Sequence, residues 1–408
     1  MLQGKNRGIY IHIPFCRSKC PYCDFYSTSK HTPALREEFV RALENEIAYY
    51  GRAWRAYKDK PVESVYFGGG TPSLLDETQF ERLMERIREN FTIEDGAEIS
   101  MEANPATVTT EKLAAYRRAG LSRLSIGAQS FDSKVLKILG RIHSPLQIEE
   151  AFLAAREAGF ENISLDLMFG IAGQSPESWE NSVESVIRLA PEHVSLYSLE
   201  IMDNTRFAKE HEAGIYRETE ESEDRRMYEC ALEMLEEAGY QQYEISNAAK
   251  PGYACRHNLR YWDMGEYLGL GPSAHSFMNG IRYANAADLE AYIEAMTAAD
   301  AAEATETTGT AEETNAEIPL SPAVTESYKN TEQDNLSEYL FTGLRKNEGI
   351  RKAEFQRTFG RELWECFPEG KREFEAFVSA GFAKEDAQGI RLTQAGMNIS
   401  NKIMMIFV

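Results

Sequence analysis

The sequence predicts an α/β protein whose first half forms a partial (β/α)6 barrel of the TIM-like kind. Six short apolar segments, rich in β-branched or aromatic residues, alternate with amphipathic stretches. This alternation is typical of parallel strands joined by crossover helices. Polar and glycine-containing motifs follow the ends of the segments, where barrels place their active sites. The short strand–helix units favour a barrel over an open doubly wound sheet, although periodicity alone does not separate the two.

The predicted strands of this half are residues 9–15, 62–67, 98–102, 123–128, 163–168 and 193–199. The predicted helices between them are residues 33–54, 78–91, 110–119, 145–158 and 175–189. In the first helix Phe39, Leu43 and Ile47 recur every four residues, which places them on one buried face.

Four regions follow from the pattern of the whole chain. Residues 1–215 form the barrel, and 216–296 form an α/β extension with a helix at 223–238 and a strand at 243–246. Residues 297–335 are rich in Ala, Thr and Glu and have almost no basic residues, which predicts an acidic flexible linker. Residues 336–408 combine helices with a hairpin, which predicts a small helical, winged-helix-like domain that packs or docks a partner rather than binding DNA.

Composition restricts the class of protein. The 408 residues suffice for two domains, and the net charge of −21 argues against nucleic acid as a partner. Three of the six cysteines form one cluster, a pattern unlike a disulfide framework, so we predict a reducing, cytoplasmic location. The sequence shows neither a signal peptide nor an apolar run long enough to span a bilayer.

The cysteine cluster follows the first predicted strand. Cys16, Cys20 and Cys23 are separated by three and two residues, on one loop. Thiolates in such a group suit zinc or an iron–sulfur centre. Three ligands are one fewer than structural zinc or an ordinary cubane cluster needs, so an iron left open here would serve chemistry. A three-cysteine zinc site is the alternative.

Glycines and polar residues end the next strands. Gly68, Gly69 and Gly70, followed by Thr71, would let a ligand touch the backbone, although a tight turn has the same composition. A polar side chain within an apolar strand is costly unless it has a partner, so three on successive strands indicate a shared pocket. These three residues are Glu102, Gln129 and Asp166. Arg141 can pair with a carboxylate through its planar guanidinium, or can be an ordinary surface arginine.

Together these motifs resemble the radical S-adenosylmethionine (SAM) family. The stretches Tyr-Ile-His-Ile-Pro-Phe-Cys, Gly-Gly-Gly-Thr-Pro-Ser and Gly-Ala-Gln-Ser-Phe, in this order, resemble the branch that contains the HemN oxidases and the HemW heme chaperones. The resemblance implies that Cys16, Cys20 and Cys23 hold a [4Fe–4S] cluster whose fourth iron is chelated by SAM. It also implies SAM contacts from Tyr10, Tyr22, Gly69, Gly70, Thr71, Glu102, Gln129, Arg141 and Asp166.

The sequence is more similar to the chaperones than to the oxidases. Phe25 stands where the oxidase carries a further cysteine, and only fifteen residues precede Cys16. The stretch from His257 to Trp262 matches the His-Asn-x-x-Tyr-Trp signature of HemW. The resemblance therefore implies a chaperone, with no catalytic residue assigned. The alternatives are oxygen-independent coproporphyrinogen III oxidase and, more weakly, a radical SAM enzyme with an unrelated substrate.

The signature also supplies candidates for heme contact. His257 is a candidate axial ligand of heme iron, and the rings that follow it can pack against a porphyrin. A hydrogen-bonded core histidine is the alternative, with Cys255 or His275 as other ligands. The predicted heme contacts are His257, Asn258, Tyr261 and Trp262. The partners implied are heme and heme-acceptor proteins, respiratory proteins at the membrane among them, and a homodimer is compatible with the family.

Overall fold

The structure is a computed structural model that describes residues 7–54, 60–305 and 320–408. Its first half is a run of parallel strands joined by helices. The strands are β1 Arg7–Ile13, β2 Val62–Gly69, β3 Ile93–Ala103, β4 Arg123–Gln129, β5 Ile163–Phe169 and β6 His193–Ser198. The helices are α1 Pro33–Trp54, α2 Glu77–Asn90, α3 Thr110–Ala119, α4 Ser133–Ile138, α5 Pro145–Glu157 and α6 Pro176–Leu189. The predicted strand–helix alternation is confirmed.

The middle of the chain adds strands to both edges of this sheet. Its helices are α7 Arg206–Glu212, α8 Glu221–Glu237, α9 Arg256–Trp262 and α10 Leu289–Thr305. Its strands are β7 Gln241–Glu244, β8 Asn247–Ala249, β9 Tyr267–Leu270, β10 His275–Met278, β11 Ile281–Asn285 and β12 Val324–Lys329. The resulting sheet has the order β12-β11-β10-β9-β1-β2-β3-β4-β5-β6-β8-β7. It is a partial barrel, because within the described residues its two edge strands do not pair with each other.

The C-terminal region forms a small domain with its own core. It contains the helices α11 Glu332–Gly343, α12 Lys352–Phe359, α13 Leu363–Cys366, α14 Pro368–Ser379, α15 Gln394–Met397 and α16 Ser400–Met404. The strands β13 Ile350–Arg351, β14 Ala383–Glu385 and β15 Gly389–Leu392 pair in the order β13-β15-β14. Leu340, Phe355, Phe374 and Ile390 are fully buried at its centre. Helices around a hairpin are the winged-helix-like arrangement that the sequence predicts.

The prediction of a flexible linker over 297–335 is wrong for most of the segment. Helix α10 continues to Thr305, β12 pairs with β11, and α11 begins at Glu332; only 306–319 lies outside the described residues. The Tyr49 hydroxyl donates to the Leu320 carbonyl at 2.9 Å, which fixes the chain before β12. Pairing at a sheet edge uses backbone groups, so exposed polar side chains do not prevent it. Composition therefore gave no signal for this strand.

The sheet and its helices bury a large apolar cluster, and polar side chains of the strands are buried beside it. Phe39, Leu43 and Ile47 of α1 are fully buried, as their spacing predicts. Helix α2 begins with a capping box in which Asp76 accepts from the Gln79 amide. None of the helices within the described residues is long and apolar enough to cross a membrane.

Candidate cofactor site

A cavity of about 870 Å³ opens where the parallel strands end. The cysteine loop and the ends of the strands form its inner part. Met397 and Asn401 of the C-terminal domain, with Arg345, line its outer part. Carboxyl ends of parallel strands are the usual place for ligands, and this volume is in the range of small-molecule sites.

Backbone hydrogen bonds fix the base of the cysteine loop at the end of β1. The Cys16 amide donates to the Thr28 carbonyl at 3.0 Å, and the Thr28 amide donates to the Pro14 carbonyl at 2.7 Å. Cys16, Cys20 and Cys23 are half-buried free thiols that line the cavity. Burial raises the pKa of Cys16 and raises the pKa of Cys23 to about 11. A metal would therefore have to displace protons from these thiols.

The thiols are not arranged for a single ion. In the part of the chain that the structure describes, no three His, Cys, Asp or Glu side chains form a group that could hold one metal ion. A four-iron cluster has no such need, because each thiolate binds a different iron. The three free thiols are compatible with such a cluster.

The three glycines at the end of β2, Gly68 to Gly70, have different neighbours. A Cβ on Gly70 would lie 2.8 Å from the Phe15 carbonyl oxygen and 3.1 Å from the Cys16 sulfur. Gly69 has a φ of +108°, in the region that favours glycine, and a Cβ there would meet the His12 ring. The backbone at this strand end can therefore approach both the cysteine loop and a ligand.

The carboxyl groups of Glu102 and Asp166 face the same cavity. The Tyr66 hydroxyl donates to Glu102 Oε1 at 3.0 Å, and the Ser125 hydroxyl donates to Asp166 Oδ1 at 3.0 Å. Burial, and then the neighbouring Asp166 charge, raise the pKa of Glu102 to about 7. Burial also raises the pKa of Asp166. Both groups can hydrogen-bond ligand hydroxyls.

Gln129 and Arg141 carry polar atoms without partners. Gln129 ends β4 with a φ of +66°, and its buried Oε1 has no hydrogen-bond partner. Arg141 is half-buried rather than a surface residue, with Nη2 donating to the Gly127 carbonyl at 2.9 Å and Nη1 lying 3.7 Å from the Cys20 sulfur. Its buried Nε has no partner. Buried polar atoms normally are hydrogen-bonded, so these two indicate a ligand.

Comparison with known proteins identifies the family. A family model for the Radical SAM superfamily matches residues 10–186, and one for the HemN C-terminal domain matches residues 330–399. The heme chaperone HemW of Bacillus subtilis (strain 168) is 33% identical over 98% of this chain and 99% of its own length. The chain belongs to the HemW family. HemW of Escherichia coli (strain K12) is 40% identical over 66% of this chain and 69% of its own length.

The fold agrees with a solved structure from the same superfamily. Coproporphyrinogen III oxidase (HemN) from Escherichia coli, a radical SAM enzyme, matches with a TM-score of 0.80 at 24% identity, covering 99% of this chain and 90% of that one. Membership of the superfamily implies SAM and a [4Fe–4S] cluster as cofactors. The cavity fits both, because it combines three free thiols, a backbone approach at Gly70 and the partnerless atoms of Gln129 and Arg141.

For two tyrosines, the structure differs from the prediction made from the sequence: Tyr66 rather than Tyr10 lines the cavity. Tyr22 lines the cavity beside the cysteines, as does Thr71, whose hydroxyl donates to the Cys16 sulfur at 3.5 Å. Tyr10 lies behind the wall, where its ring stacks on Tyr66 with centroids 6.4 Å apart. Tyr66 itself lines the cavity and was missed. Its position in β2, two residues before the glycines, is the signal that could have identified it.

The structure contradicts the expectation that His257 is available to heme iron. Only 1% of its surface is exposed, its Nδ1 is 2.9 Å from the Ser64 hydroxyl, and its Nε2 is 2.9 Å from the Tyr261 hydroxyl. Burial, with a smaller contribution from Arg260, lowers the pKa of His257 to about 3. Both nitrogens are occupied, so the alternative of a hydrogen-bonded core histidine holds.

The other candidate residues for heme contact differ in their exposure to solvent. Cys255 is fully buried and its thiol donates to Glu98, whereas His275 is exposed on β10. Asn258 and Trp262 are half-buried on α9, and the Arg345 guanidinium lies 5.3 Å from the Trp262 ring. Within the signature, His257 is buried, whereas Asn258, Tyr261 and Trp262 are half-buried.

Proposed function

We propose that this chain is a heme chaperone that carries a SAM-ligated [4Fe–4S] cluster and passes bound heme to an acceptor protein. The observation that carries the proposal is the match to HemW of Bacillus subtilis over 98% of this chain. Relatives that bear the name heme chaperone share both the barrel and the C-terminal domain with this chain.

The inner part of the cavity would hold the cofactors. Each of Cys16, Cys20 and Cys23 would bind one iron of the cluster, and the fourth iron would take the amino and carboxylate groups of SAM. Arg141, already beside the Cys20 sulfur, would pair with that carboxylate. Gly69 and Gly70, with Thr71, would admit the amino group. Tyr22, Glu102, Gln129 and Asp166 would contact the rest of SAM.

The outer part of the cavity would hold heme. Four large apolar side chains that line the cavity as a whole are more than a third exposed, and exposed apolar groups around a cavity mark a binding surface. They are Phe25, Ile142, Tyr197 and Met202. Arg345 also lines the cavity and has a buried Nε without a partner, so it would pair with a heme propionate.

The test is a paired assay on one preparation. Protein is reconstituted anaerobically with iron and sulfide, and its iron content is measured first. Titration with heme should then saturate at a fixed stoichiometry and produce a Soret band. Incubation with coproporphyrinogen III, SAM and a reductant should give no protoporphyrinogen IX. Product formation at many turnovers per protein would refute the chaperone proposal and support the oxidase.

A substitution at the outer cavity tests the heme position. Arg345→Gln should weaken heme binding roughly tenfold, since it removes one charge-assisted pair. Arg372→Gln changes an exposed arginine of the same domain and should leave heme affinity unchanged. Equal affinities for the two variants would place heme elsewhere.

The proposed function also includes transfer of heme to acceptor proteins and self-association of the chain. Acceptors would include respiratory proteins at the membrane, and the chain would act as a monomer or a homodimer. Light scattering of the reconstituted protein with and without heme measures the oligomeric state. Transfer is measured by the loss of the Soret band from this protein on addition of an apo-cytochrome.

A further inference from the structure

Helix α9, which we call the His257 helix, packs inside the sheet directly beneath the cavity. A Cβ on Gly8 of β1 would lie 2.7 Å from Arg260 Cδ and 3.3 Å from His257 Cε1, so the strand and the helix are in close contact. Glu98 of β3 accepts hydrogen bonds from the backbone amides of Arg256 at 3.1 Å and His257 at 3.4 Å. Two strands therefore fix the start of the helix within the barrel.

A continuous contact runs from the His257 ring to the cavity wall. The ring stacks on Tyr66 with centroids 5.2 Å apart and planes 23° apart. The hydroxyl at the far end of Tyr66 donates to Glu102 Oε1. Gly68 makes room for this arrangement, because a Cβ there would lie 3.1 Å from the Tyr66 ring and 3.3 Å from Glu102 Oε1.

The hydrogen bonds of His257 make it a rigid support. Ser64 holds one ring nitrogen and Tyr261 holds the other, so the ring cannot turn without breaking both bonds. Tyr66 therefore packs against the rings of both His257 and Tyr10. The Tyr66 hydroxyl donates to the carboxyl group of Glu102 at 3.0 Å.

We propose that His257 is a positioning residue for the SAM site: it holds Tyr66, and Tyr66 holds the Glu102 carboxyl group at the cavity wall. The His-Asn-x-x-Tyr-Trp signature then serves SAM binding rather than ligation of heme iron. This inference rests on the proposed role of Glu102 as a SAM contact. It goes beyond that role because it links a buried helix, which touches no ligand, to the geometry of the pocket.

The test compares SAM affinity with heme binding in three variants. Tyr66→Phe removes the hydroxyl that reaches Glu102, His257→Phe removes both hydrogen bonds of the supporting ring, and a double variant combines them. The readout is the change that SAM causes in the electron paramagnetic resonance signal of the reduced cluster, titrated with SAM. Heme is titrated separately and followed by the Soret maximum. Iron content is matched between preparations.

Each single variant should weaken SAM binding roughly five- to tenfold, as expected for one misplaced hydrogen-bonding group. The double variant should be no weaker than Tyr66→Phe alone, because residues that act through one contact are not additive. The Soret maximum and heme stoichiometry should stay as in the unchanged protein. His211→Phe, at an exposed histidine of α7, is the matched control and should alter neither.

Two outcomes separate this inference from the proposed function. If SAM does not alter the cluster signal of the unchanged protein, the SAM part of the proposed function fails. If it does, but His257→Phe keeps full SAM affinity and shifts the Soret band, His257 is a heme ligand and the inference is overturned. Should His257→Phe fail to load its cluster, Ser64→Ala removes one hydrogen bond from the same ring. That variant should weaken SAM binding in the same direction, and unchanged affinity would refute the inference.

Discussion

Gln129 and Arg141 in the cysteine-loop cavity differ from His257 in the adjacent helix in whether their polar atoms have hydrogen-bond partners. In the cavity, Gln129 and Arg141 keep buried atoms without partners, and the three thiols are free. In the helix, the ring nitrogens of His257 and the amides at its start all have partners within the chain. A buried polar residue whose hydrogen-bond partners lie within the chain supports the structure, whereas one that lacks such partners indicates a ligand site.

The cysteine motif and the His257 signature are equally distinctive in the sequence, but they have different roles in the structure. Both resemble family signatures in the sequence, and both contain residue types that bind metals. Only burial and hydrogen bonding distinguish the half-buried Cys16 from the fully enclosed His257. Substitutions in the cavity should therefore change ligand binding, and substitutions in the helix should first change stability.

The largest effect is expected for Cys20→Ser. It removes one of three iron ligands, so the reconstituted variant should lack the brown [4Fe–4S] chromophore and any spectral response to SAM. Cys366→Ser, at a half-buried cysteine of the C-terminal domain, is the control and should load its cluster normally. A fully assembled cluster in Cys20→Ser would refute the assignment.

The next effect concerns stability and belongs to the helix. His257→Ala leaves a cavity under Tyr66 and deprives the Ser64 and Tyr261 hydroxyls of their partner. The free energy of unfolding should fall by about 2–4 kcal/mol. Denaturant unfolding of the cluster-free protein measures it. A loss no greater than that of His211→Ala would mean that the helix is not the rigid support described above.

Arg141→Ala should change SAM affinity more than it changes stability, the reverse of what we expect for His257→Ala. The guanidinium would lose its charge-assisted bond to the SAM carboxylate, which costs about 1.5–3 kcal/mol, or roughly ten- to a hundredfold in affinity. Calorimetric titration with SAM measures this, while the unfolding midpoint should change little. Unchanged SAM affinity would mean that Arg141 only supports the cysteine loop through Cys20.

The smallest effect is a pH dependence at Glu102. Its pKa is raised from 4.5 to about 7, first by burial, so the folded protein holds this proton more tightly than the unfolded chain. Its contribution to stability is present below about pH 4.5 and is lost as the pH rises through about 7. Unfolding of Glu102→Gln, which cannot titrate, should lack this part of the pH dependence. Identical pH profiles of the variant and the unchanged protein would contradict the raised pKa.

The sequence predicted the parts of the fold that are apolar and periodic. Six parallel strands and the buried face of α1 follow from their residue patterns, and the cysteine, glycine and carboxyl motifs do line one cavity. Strand β12 was missed because an edge strand needs no apolar side chains. Tyr66 and the burial of His257 were also missed, since stacking between β2 and α9 depends on tertiary contacts across 191 residues that no local pattern records.

The most direct test is hydrogen–deuterium exchange with and without heme. It shows whether heme binds in the cavity while backbone exchange in the His257 helix stays unchanged. The reconstituted full chain is compared at equal cluster content. Added protection should appear in peptides covering 16–25, 197–202 and 397–401, which line the cavity. Exchange in 256–262 should stay slow and unchanged. Protection gained at 256–262, with no change around the cavity, would contradict a heme site in this cavity.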